Sequence, residues 1–183
     1  QKINSRIVVE PVVADVTFAN IETLARDVHV IVDGTDNFEA RFLINDFSAR
    51  FRIPWVFGGC IGAEGQTMTV VPGTTPCLRC LLNDAPPPGS TETCDTAGIL
   101  GPIVGVIASL QACEALKILS GNIAAVSRVL QVFDLWETQV RQVRLDSLDP
   151  TRCPTCTGAE LPWLTGERST HSAVLCGRNA IQL

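Results

Sequence analysis

Two pairs of cysteines carry the strongest chemical signal in this sequence of 183 residues. Cys77 and Cys80 form one CxxC motif, and Cys153 and Cys156 form a second one. Four thiolates in two CxxC pairs are the ligand set of a tetrahedral structural zinc site, which leaves no coordination position open for a substrate. The spacing therefore predicts one structural Zn²⁺ that ties together two distant parts of the chain. Two unrelated pairs of buried cysteines, or a redox-active CxxC, are less favoured interpretations.

The acidic turn at residues 33–37 (DGTDN) is a second candidate site. It follows the apolar run at residues 28–32, and a helical pattern begins directly after it. In open α/β sheets, ligands bind where strands end and helices begin, so the Asp36 carboxylate is placed to reach a ligand such as Mg²⁺. An equally open interpretation is that Asp33 and Asp36 only cap the helix and shape the turn.

The other four cysteines carry weaker signals. Cys94 lies in a small, polar run between a Pro-rich turn and an apolar helix, where a thiol is accessible. No basic residue adjoins it to favour the thiolate, so the residues alone favour a bystander thiol. Cys60, Cys113 and Cys176 lie in apolar or glycine-rich surroundings and are interpreted as packing residues.

The elements that must position these residues follow an α/β pattern. Residues 28–32 are mostly β-branched and predict a strand buried on both faces of a parallel sheet. The spacing of apolar residues predicts a helix over residues 38–50, which Asp36 or Asn37 caps. Residues 54–60 predict a second buried strand that ends in glycines. This alternation is typical of the α/β class with a partial doubly wound, Rossmann-like sheet.

Local patterns predict further elements that make the sheet a mixed one. Strands are expected at residues 7–13, 66–71, 128–134 and 138–145, and the period-two alternation of the last three is typical of antiparallel pairing. A short helix is expected at residues 21–26, and a long one from Gly101-Pro102 to Gly121. The long helix is almost entirely apolar before Gln111, so we expect it to be buried in a core or a subunit interface.

Composition restricts the class of protein. Hydrophobic residues make up 46% of the chain and charged residues 18%, as in a folded domain rather than a disordered one. The net charge of −5 argues against nucleic-acid binding. The longest apolar run, residues 99–110, contains two glycines and a proline and is too short to span a bilayer, so no membrane partner is expected. Eight cysteines in an α/β pattern favour metal binding over a secreted disulfide scaffold, which makes a cytoplasmic location the default.

Six motifs occur in a fixed order along the chain. They are DGTDN at 33–37, CLRC at 77–80, CDTAG at 94–98, GPIVG at 101–105, LQACEA at 110–115 and CPTC at 153–156. As an ordered set over about residues 3–156, they resemble the ThiF/MoeB/HesA family, bacterial relatives of ubiquitin-activating enzymes. Members of that family are adenylyltransferases. They use MgATP to adenylate the C-terminal glycine of a small ubiquitin-like sulfur-carrier protein, which then receives sulfur for thiamin or molybdopterin synthesis.

The resemblance implies a role for each candidate residue. Asp36 matches the family's Mg²⁺-binding aspartate, Asn37 matches its nucleotide-contacting neighbour, and the four CxxC cysteines match its zinc ligands. Cys94 matches the cysteine that bonds covalently to the carrier or its sulfur in thiamin-type members. A thiamin-type enzyme is therefore favoured over a molybdopterin-type one. The implied partners are a sulfur carrier and a second copy of the chain, with the apolar helix at residues 104–119 as the expected interface.

The resemblance also has gaps. The family's glycine-rich nucleotide loop and its phosphate-binding arginines and lysine precede the position of Asp36, and no GxGxxG motif precedes Asp36 here. We therefore expect residues 1–156 to be the C-terminal part of an adenylation domain, with a truncated tail at residues 157–183. The isolated fragment is expected to be inactive.

Two other functions are consistent with parts of the sequence. A non-catalytic, zinc-stapled module that binds a ubiquitin-like partner would need no glycine-rich loop. A nucleotide-dependent dehydrogenase would share the doubly wound sheet, but fold alone does not decide function and this class leaves the CxxC pairs unexplained.

Overall fold

The computed structural model is organised around a five-stranded sheet, and it describes residues 4, 6–87, 90, 94–168, 173–175 and 180–182. The strands lie in chain order across the sheet: β1 Ile31–Val32, β2 Trp55–Ile61, β3 Glu64–Val70, β4 Val129–Asp134 and β5 Gln139–Arg144. β1 and β2 are parallel, and the three other neighbouring pairs are antiparallel. The predicted α/β class with a partial, mixed sheet is therefore confirmed.

Helices cover both faces of the sheet and connect its strands. They are α1 Ile21–Ala25, α2 Phe38–Phe51, α3 Leu78–Leu81, α4 Cys94–Ala97, α5 Gly101–Leu119 and α6 Pro154–Thr157, with 3-10 turns at Ile123–Ala125 and Pro150–Arg152. A separate antiparallel pair, β6 Ala173–Leu175 and β7 Ala180–Gln182, lies near the end of the chain. The predicted N-cap of α2 is confirmed for Asn37, whose side-chain oxygen accepts a hydrogen bond from the Ala40 amide at 2.8 Å.

The main hydrophobic core lies between the sheet and α2. Side chains alternate between the two faces of a strand, and Trp55 and Phe57 of β2 belong to the same buried cluster as Phe42 and Phe47 of α2. Trp55, Phe42 and Phe47 are fully buried. Burying each such side chain contributes about 2–3 kcal/mol, so this layer fixes the position of α2 relative to the sheet.

Helix α5 packs on the opposite face of the sheet, and glycines of β2 and β3 allow its close approach. A Cβ atom on Gly65 would lie 2.6 Å from side-chain atoms of Ile103 and Ile107. A Cβ atom on Gly58 would lie 2.4 Å from Nε2 of Gln111. Because these strand positions carry no side chain, Ile103, Ile107 and Gln111 of α5 can pack directly against the strand backbone.

The predicted burial of α5 is correct for one side only. Ile103, Ile107 and Ile118 are buried against the sheet, while Leu116 and Leu119 on the opposite side are exposed. In the described part of the chain, α5 is the one helix long and apolar enough to cross a membrane by length and composition alone. Its contacts with the sheet give it the role of a core helix in this fold.

Two predicted strands differ in the structure. Only Ile31 and Val32 of the run at 28–32 pair with β2, and Val32 is 50% exposed because β1 is the edge strand of the described sheet. Residues 7–13 form no strand, and Val8 and Val13 are exposed. An apolar, β-branched run becomes a buried strand only where a neighbouring strand satisfies its backbone hydrogen bonds.

Candidate metal centre and acidic turn

The four cysteines of the two CxxC motifs come together in a single cluster, as their spacing predicts. The Sγ atom of Cys77 lies 3.8 Å from that of Cys80 and 3.7 Å from that of Cys153, and the Sγ atoms of Cys80 and Cys156 are 3.5 Å apart. All four sulfur atoms lie within 4.8 Å of one another. Four thiolates about 2.3 Å from a tetrahedral Zn²⁺ would lie about 3.8 Å apart. The cluster therefore fits a four-coordinate metal ion.

Each CxxC motif is shaped by one turn of helix. α3 follows Cys77 and α6 follows Cys153, so the cysteines at the first and fourth positions lie on the same side of the turn. Arg79 and Thr155, which lie inside the two motifs, also contact each other, with Arg79 Nη1 3.3 Å from Thr155 Oγ1. The two motifs are therefore joined by protein contacts as well as by their thiols.

The four thiols restrict one another's ionisation when no metal ion is bound. Hydrogen bonds from Cys153 and Cys156 lower the pKa of the Cys77 thiol. The hydrogen bond with Cys156 raises the pKa of Cys80 to about 12, and the hydrogen bond with Cys77 raises the pKa of Cys156 to about 12. The pKa of Cys153 is also raised, mainly by its hydrogen bond with Cys77. A divalent cation is what would hold all four groups as thiolates at neutral pH.

Two polar residues of α2 that the sequence analysis did not single out lie against this cluster. Asn45 and Asp46 are fully buried in the middle of α2, although these residue types usually lie on the solvent-exposed side of a helix. Asn45 contacts Cys77, and Asp46 contacts Thr155 in the second motif. Burial raises the pKa of Asp46 to about 6. The hydrogen bonds that it accepts from the Trp163 and Leu164 amides lower the pKa and so oppose part of this shift. The one signal in the sequence is that these two polar residues fall where the apolar pattern of α2 predicts buried positions.

The acidic turn lies at the C-terminal end of β1 and leads into α2. Asp36 and Asn37 are exposed at the surface, and the Asn37 amide lies 3.3 Å from Oδ1 of Asp36. Asp33 is buried instead, and its Oδ1 accepts hydrogen bonds from the backbone and hydroxyl of Thr35 at 2.8 and 2.7 Å. The two aspartates therefore differ in role, because Asp33 shapes the turn and Asp36 faces outwards.

Arg41, on helix α2, contacts the acidic turn from the α2 face of the sheet. Its Nη2 donates to the carbonyl oxygen of Thr35 at 2.7 Å, and its guanidinium lies 5.2 Å from the ring centre of Phe57. Its Nε lies 3.9 Å from Oδ2 of Asp33, and neither atom has a hydrogen-bond partner among the described residues. Burial raises the pKa of Asp33, while the Thr35 hydrogen bonds and the Arg41 charge oppose that shift. The helical position of Arg41 gave no sign of this role.

Cys94 lies at the same edge of the sheet as the C-terminal end of β2. It begins helix α4 and is half-buried, so it does not lie in an open loop as expected; residues 91–93 are outside the described part. The carbonyl oxygen of Cys94 accepts from the Gly98 amide at 2.9 Å, and the carbonyl oxygen of Gly98 accepts from the Gly62 amide at 2.9 Å. These contacts bring α4 next to the strand end that carries Cys60.

The packing role expected for the remaining cysteines is contradicted at Cys113. Cys60 is half-buried, and burial raises the pKa of its thiol, with a further increase from Cys94 and an opposing effect of Arg41. Cys113 is exposed on the outer side of α5, which contradicts the prediction, because the helix turns its polar Gln111 and Glu114 towards the sheet. Cys176 lies outside the described residues.

Together, the mixed sheet and the four-thiol cluster define an α/β domain with a candidate metal centre at one side and an acidic turn at the strand ends. A family model described as the ThiF family matches residues 1–155. The chain belongs to the ThiF family.

Two curated relatives and one solved structure describe its neighbours. The chain is 46% identical over all its 183 residues to the sulfur carrier protein ThiS adenylyltransferase of Bacillus subtilis (strain 168) and covers 53% of that protein. It is 38% identical over 165 residues to the adenylyltransferase and sulfurtransferase MOCS3 of Anopheles gambiae, which corresponds to 90% of this chain and 37% of that one. The chain thus spans about half the length of the first relative and little more than a third of the second.

The structural match extends over most of the chain. The structure of E. coli MccB with ATP superposes with a TM-score of 0.69 at 16% identity, covering 85% of this chain and 48% of MccB. At this identity the match shows a shared fold. Since the match leaves about half of MccB uncovered, the activity of a whole enzyme does not follow from it.

Proposed function

We propose that the protein containing this chain is an ATP-dependent adenylyltransferase that acts on the C-terminal glycine of a small, ubiquitin-like sulfur carrier, with a thiamin-type carrier favoured. The observation that carries the proposal is the exposed Asp36 carboxylate, which lies beside the Asn37 cap at the C-terminal end of a parallel strand. Ligands of open α/β sheets bind at this position. The identity of 46% with a ThiS adenylyltransferase over the whole chain supports the choice of reaction and carrier.

The acidic turn is suited to part of this reaction. In adenylation, a carboxylate oxygen of the carrier attacks the α-phosphorus of ATP and pyrophosphate leaves. Asp36 supplies the kind of oxygen ligand that Mg²⁺ prefers, and Mg²⁺ neutralises charge on the departing phosphates. The N-terminus of α2, which Asn37 caps, provides a positive helix dipole on the same side. Arg41 and Asp33 both form hydrogen bonds with Thr35 and so brace this turn.

Zn²⁺ is the metal that we assign to Cys77, Cys80, Cys153 and Cys156. The sulfur separations support a tetrahedral site with four protein ligands, and such sites are structural because no coordination position is left for a substrate. The cluster joins the segment after β3 to the segment after β5. Its role here is to fix α3 and α6 against α2.

Cys94 is the residue that we propose to bond covalently with the activated carrier or its sulfur. In the first case its thiolate attacks the carrier's C-terminal carbonyl carbon, a thioester forms and AMP leaves. In the second case Cys94 carries a persulfide from a sulfur donor, the thiocarboxylate sulfur of the carrier attacks Sγ, and hydrosulfide leaves. The place of Cys94 beside the end of β2 supports this role, because the carboxyl ends of β1 and β2 lie along one edge of the sheet. A thiol at this edge lies on the same side of the sheet as Asp36. The adenylation step itself does not require it.

A second copy of the protein is the further partner that we propose. Val104, Leu116 and Leu119 form an exposed apolar surface on α5, at 46%, 66% and 57% exposure. Exposed apolar side chains of this size along one helix are candidates for an interface. A homodimer in the cytoplasm would cover it.

One sequence feature favours the alternative, a non-catalytic zinc-stapled module that binds a ubiquitin-like partner. The 183 residues contain no GxGxxG motif, which is the usual backbone cradle for nucleotide phosphates. For the same reason, we expect these 183 residues alone to show no exchange of pyrophosphate into ATP.

Carrier-dependent exchange of labelled pyrophosphate into ATP tests the proposal on the protein that contains these residues. We expect Asp36→Ala to reduce exchange to background while circular dichroism and thermal unfolding stay unchanged. Asp27→Ala is the matched control, since Asp27 is an exposed aspartate before β1. If Asp36→Ala exchanges pyrophosphate at the wild-type rate, the assignment of Asp36 is wrong. If the wild-type protein binds the carrier without any exchange, the non-catalytic alternative is correct.

A further inference from the structure

Asn45 makes direct contact with one half of the thiol cluster. Its Nδ2 donates to Sγ of Cys77 at 3.6 Å, and its Oδ1 accepts from the Leu78 amide at 2.8 Å. A single buried side chain therefore binds both a candidate ligand sulfur and the backbone of the CxxC turn that carries it. Hydrogen bonds to a ligand sulfur are stronger when the sulfur is a thiolate than when it is a thiol.

Asp46, the next residue of α2, makes the corresponding contact with the other half. Its Oδ1 lies 3.4 Å from the hydroxyl of Thr155, between Cys153 and Cys156, and its Oδ2 accepts from the Trp163 amide at 3.0 Å. Asn45, Asp46 and Thr155 are all fully buried. Two successive residues of one helix thus hold both CxxC motifs.

The same helix begins at the acidic turn. Asn37 caps α2, and Asn45 lies eight positions further along the helix, a distance of about 12 Å along the axis. Phe42, fully buried in the core, holds the helix between these two points, and Phe47, equally buried, holds it just beyond Asn45. A displacement of α2 at Asn45 therefore moves its first turn, because a packed helix shifts as a rigid body.

We propose that Asn45 is an outer-shell residue of the metal centre and that, through α2, metal binding stabilises the acidic turn at residues 33–37. The proposal rests on the assignment of a metal ion to the four cysteines. Outer-shell hydrogen bonds orient metal ligands, and their loss lowers metal affinity about 10- to 100-fold. Coupling between the two sites is reciprocal, so a ligand that orders the turn also strengthens metal binding.

Metal release tests the first part. Zn²⁺-loaded chain is mixed with a chromogenic chelator, and the release rate is compared for wild type, Asn45→Leu, Asn45→Asp and Ser48→Ala. Asn45→Leu removes the donor and the acceptor, while Asn45→Asp keeps an acceptor for Leu78 and places a carboxylate beside the sulfur. Ser48→Ala is the control, because Ser48 is equally buried on α2 and donates to the Ile53 carbonyl at 2.7 Å instead.

We expect both Asn45 variants to release Zn²⁺ about 10- to 100-fold faster than wild type, and Ser48→Ala to release it at the wild-type rate. In Co²⁺-loaded protein, the sulfur-to-metal charge-transfer band should shift in Asn45→Leu and stay in place in Ser48→Ala. Wild-type release rates and an unshifted band in both Asn45 variants would overturn the outer-shell role. A chain that binds neither metal would instead refute the metal assignment itself.

Hydrogen exchange of wild-type chain, with and without metal, tests the second part and needs neither ATP nor carrier. On chelation we expect the Thr35 and Ala40 amides, which bond to Asp33 and Asn37, to lose protection at least tenfold. The Leu130 and Val132 amides of β4 serve as internal controls and should keep theirs. Unchanged protection at residues 35–40 overturns the coupling. Equal loss across β4 also overturns it, since the metal would then stabilise the whole fold without a specific link to the turn.

Discussion

The side-chain amide of Gln111 lies 2.7 Å from the carbonyl oxygen of Asp33, so helix α5 binds directly to the backbone of the acidic turn. The same Nε2 donates to the carbonyl oxygen of Val56 at 3.0 Å. Gln111 thereby bonds to the residue that follows β1 and to a residue of β2, whose carbonyl oxygen also accepts from the Asp33 amide at 3.0 Å. The turn is fixed from two sides, by Gln111 above and by Arg41 below.

Gln111→Leu should lower the free energy of unfolding by about 1–3 kcal/mol, because the buried Asp33 carbonyl oxygen loses the Gln111 donor and the Val56 carbonyl oxygen keeps only the Asp33 amide. Urea denaturation, monitored by tryptophan fluorescence, measures the change. Gln142→Leu on the exposed strand β5 is the control and should change the value by less than about 0.5 kcal/mol. Equal effects of the two substitutions would contradict the role of Gln111.

Gly58→Ala should destabilise the domain for a related reason. The new Cβ would lie 2.4 Å from Nε2 of Gln111, so the amide must move away from both carbonyl groups. We expect a loss of about 1–3 kcal/mol in the same denaturation experiment. Gly34→Ala is a matched control, since a Cβ there meets no atom within 4 Å. Should Gly58→Ala prove as stable as Gly34→Ala, the packing of Gln111 on β2 is looser than described.

Purified chain should contain one Zn²⁺, and Cys153→Ser should lose it. Thiolate–zinc bonds form only in the folded chain, so losing one ligand should lower the thermal midpoint as well as the metal content. Elemental analysis and thermal unfolding measure the two quantities. Cys113→Ser, at an exposed cysteine of α5, should retain both metal and midpoint. Stoichiometric zinc that survives Cys153→Ser with no loss of stability would refute the four-thiolate site.

The ionisation of Asp46 should make the fold less stable as pH rises. Burial raises the pKa of Asp46 to about 6 from the ordinary value of 3.8, so the folded chain binds a proton more tightly than the unfolded chain does. The stabilisation is complete below pH 3.8 and is lost as pH rises through about 6, with a total change of about 3 kcal/mol. Asp46→Asn, which cannot titrate, should lack this change. Unfolding free energies of both proteins at matched metal content, from pH 4 to 7.5, decide the matter; parallel curves would exclude the effect.

The sequence predicted those features that local spacing determines. Each CxxC motif places its two cysteines on one turn of helix. The four-thiol cluster therefore forms once these two turns come together in the fold. The Asn37 cap followed from its position before an amphipathic run. Mixed strand pairing followed from the change from continuous to alternating apolar residues.

Long-range contacts of polar side chains were not predictable in the same way. Gln111 and Glu114 are polar residues of an apolar helix, and the usual rule would turn them to solvent. They face the sheet because Gln111 binds strand carbonyls and Glu114 accepts from the Thr69 hydroxyl at 2.9 Å. Cys113 is exposed as a consequence. Asn45 is a similar case, since its partner Cys77 lies 32 residues further along the chain.

Cys94→Ser separates adenylation from sulfur chemistry in the proposed enzyme. Cys94 lies on α4. Two backbone hydrogen bonds attach the segment after α4 to the end of β2: Gly62 donates to Gly98 at 2.9 Å, and Leu100 donates to Gly62 at 2.7 Å. Cys94 takes no part in the acidic turn, so pyrophosphate exchange should continue at the wild-type rate. The covalent adduct with the carrier should be lost, because the serine hydroxyl that replaces the thiol is a much weaker nucleophile than a thiolate.

Mass spectrometry after incubation with carrier, ATP and a sulfur source measures the adduct. Cys60→Ser is the matched control: Cys60 lies within electrostatic range of Cys94, and burial raises the pKa of its thiol, which keeps it protonated and unreactive at neutral pH. We therefore expect Cys60→Ser to form the adduct as wild type does. An adduct that persists in Cys94→Ser and disappears in Cys60→Ser would assign the covalent role to Cys60, and one that maps to Cys176 would move it to the tail.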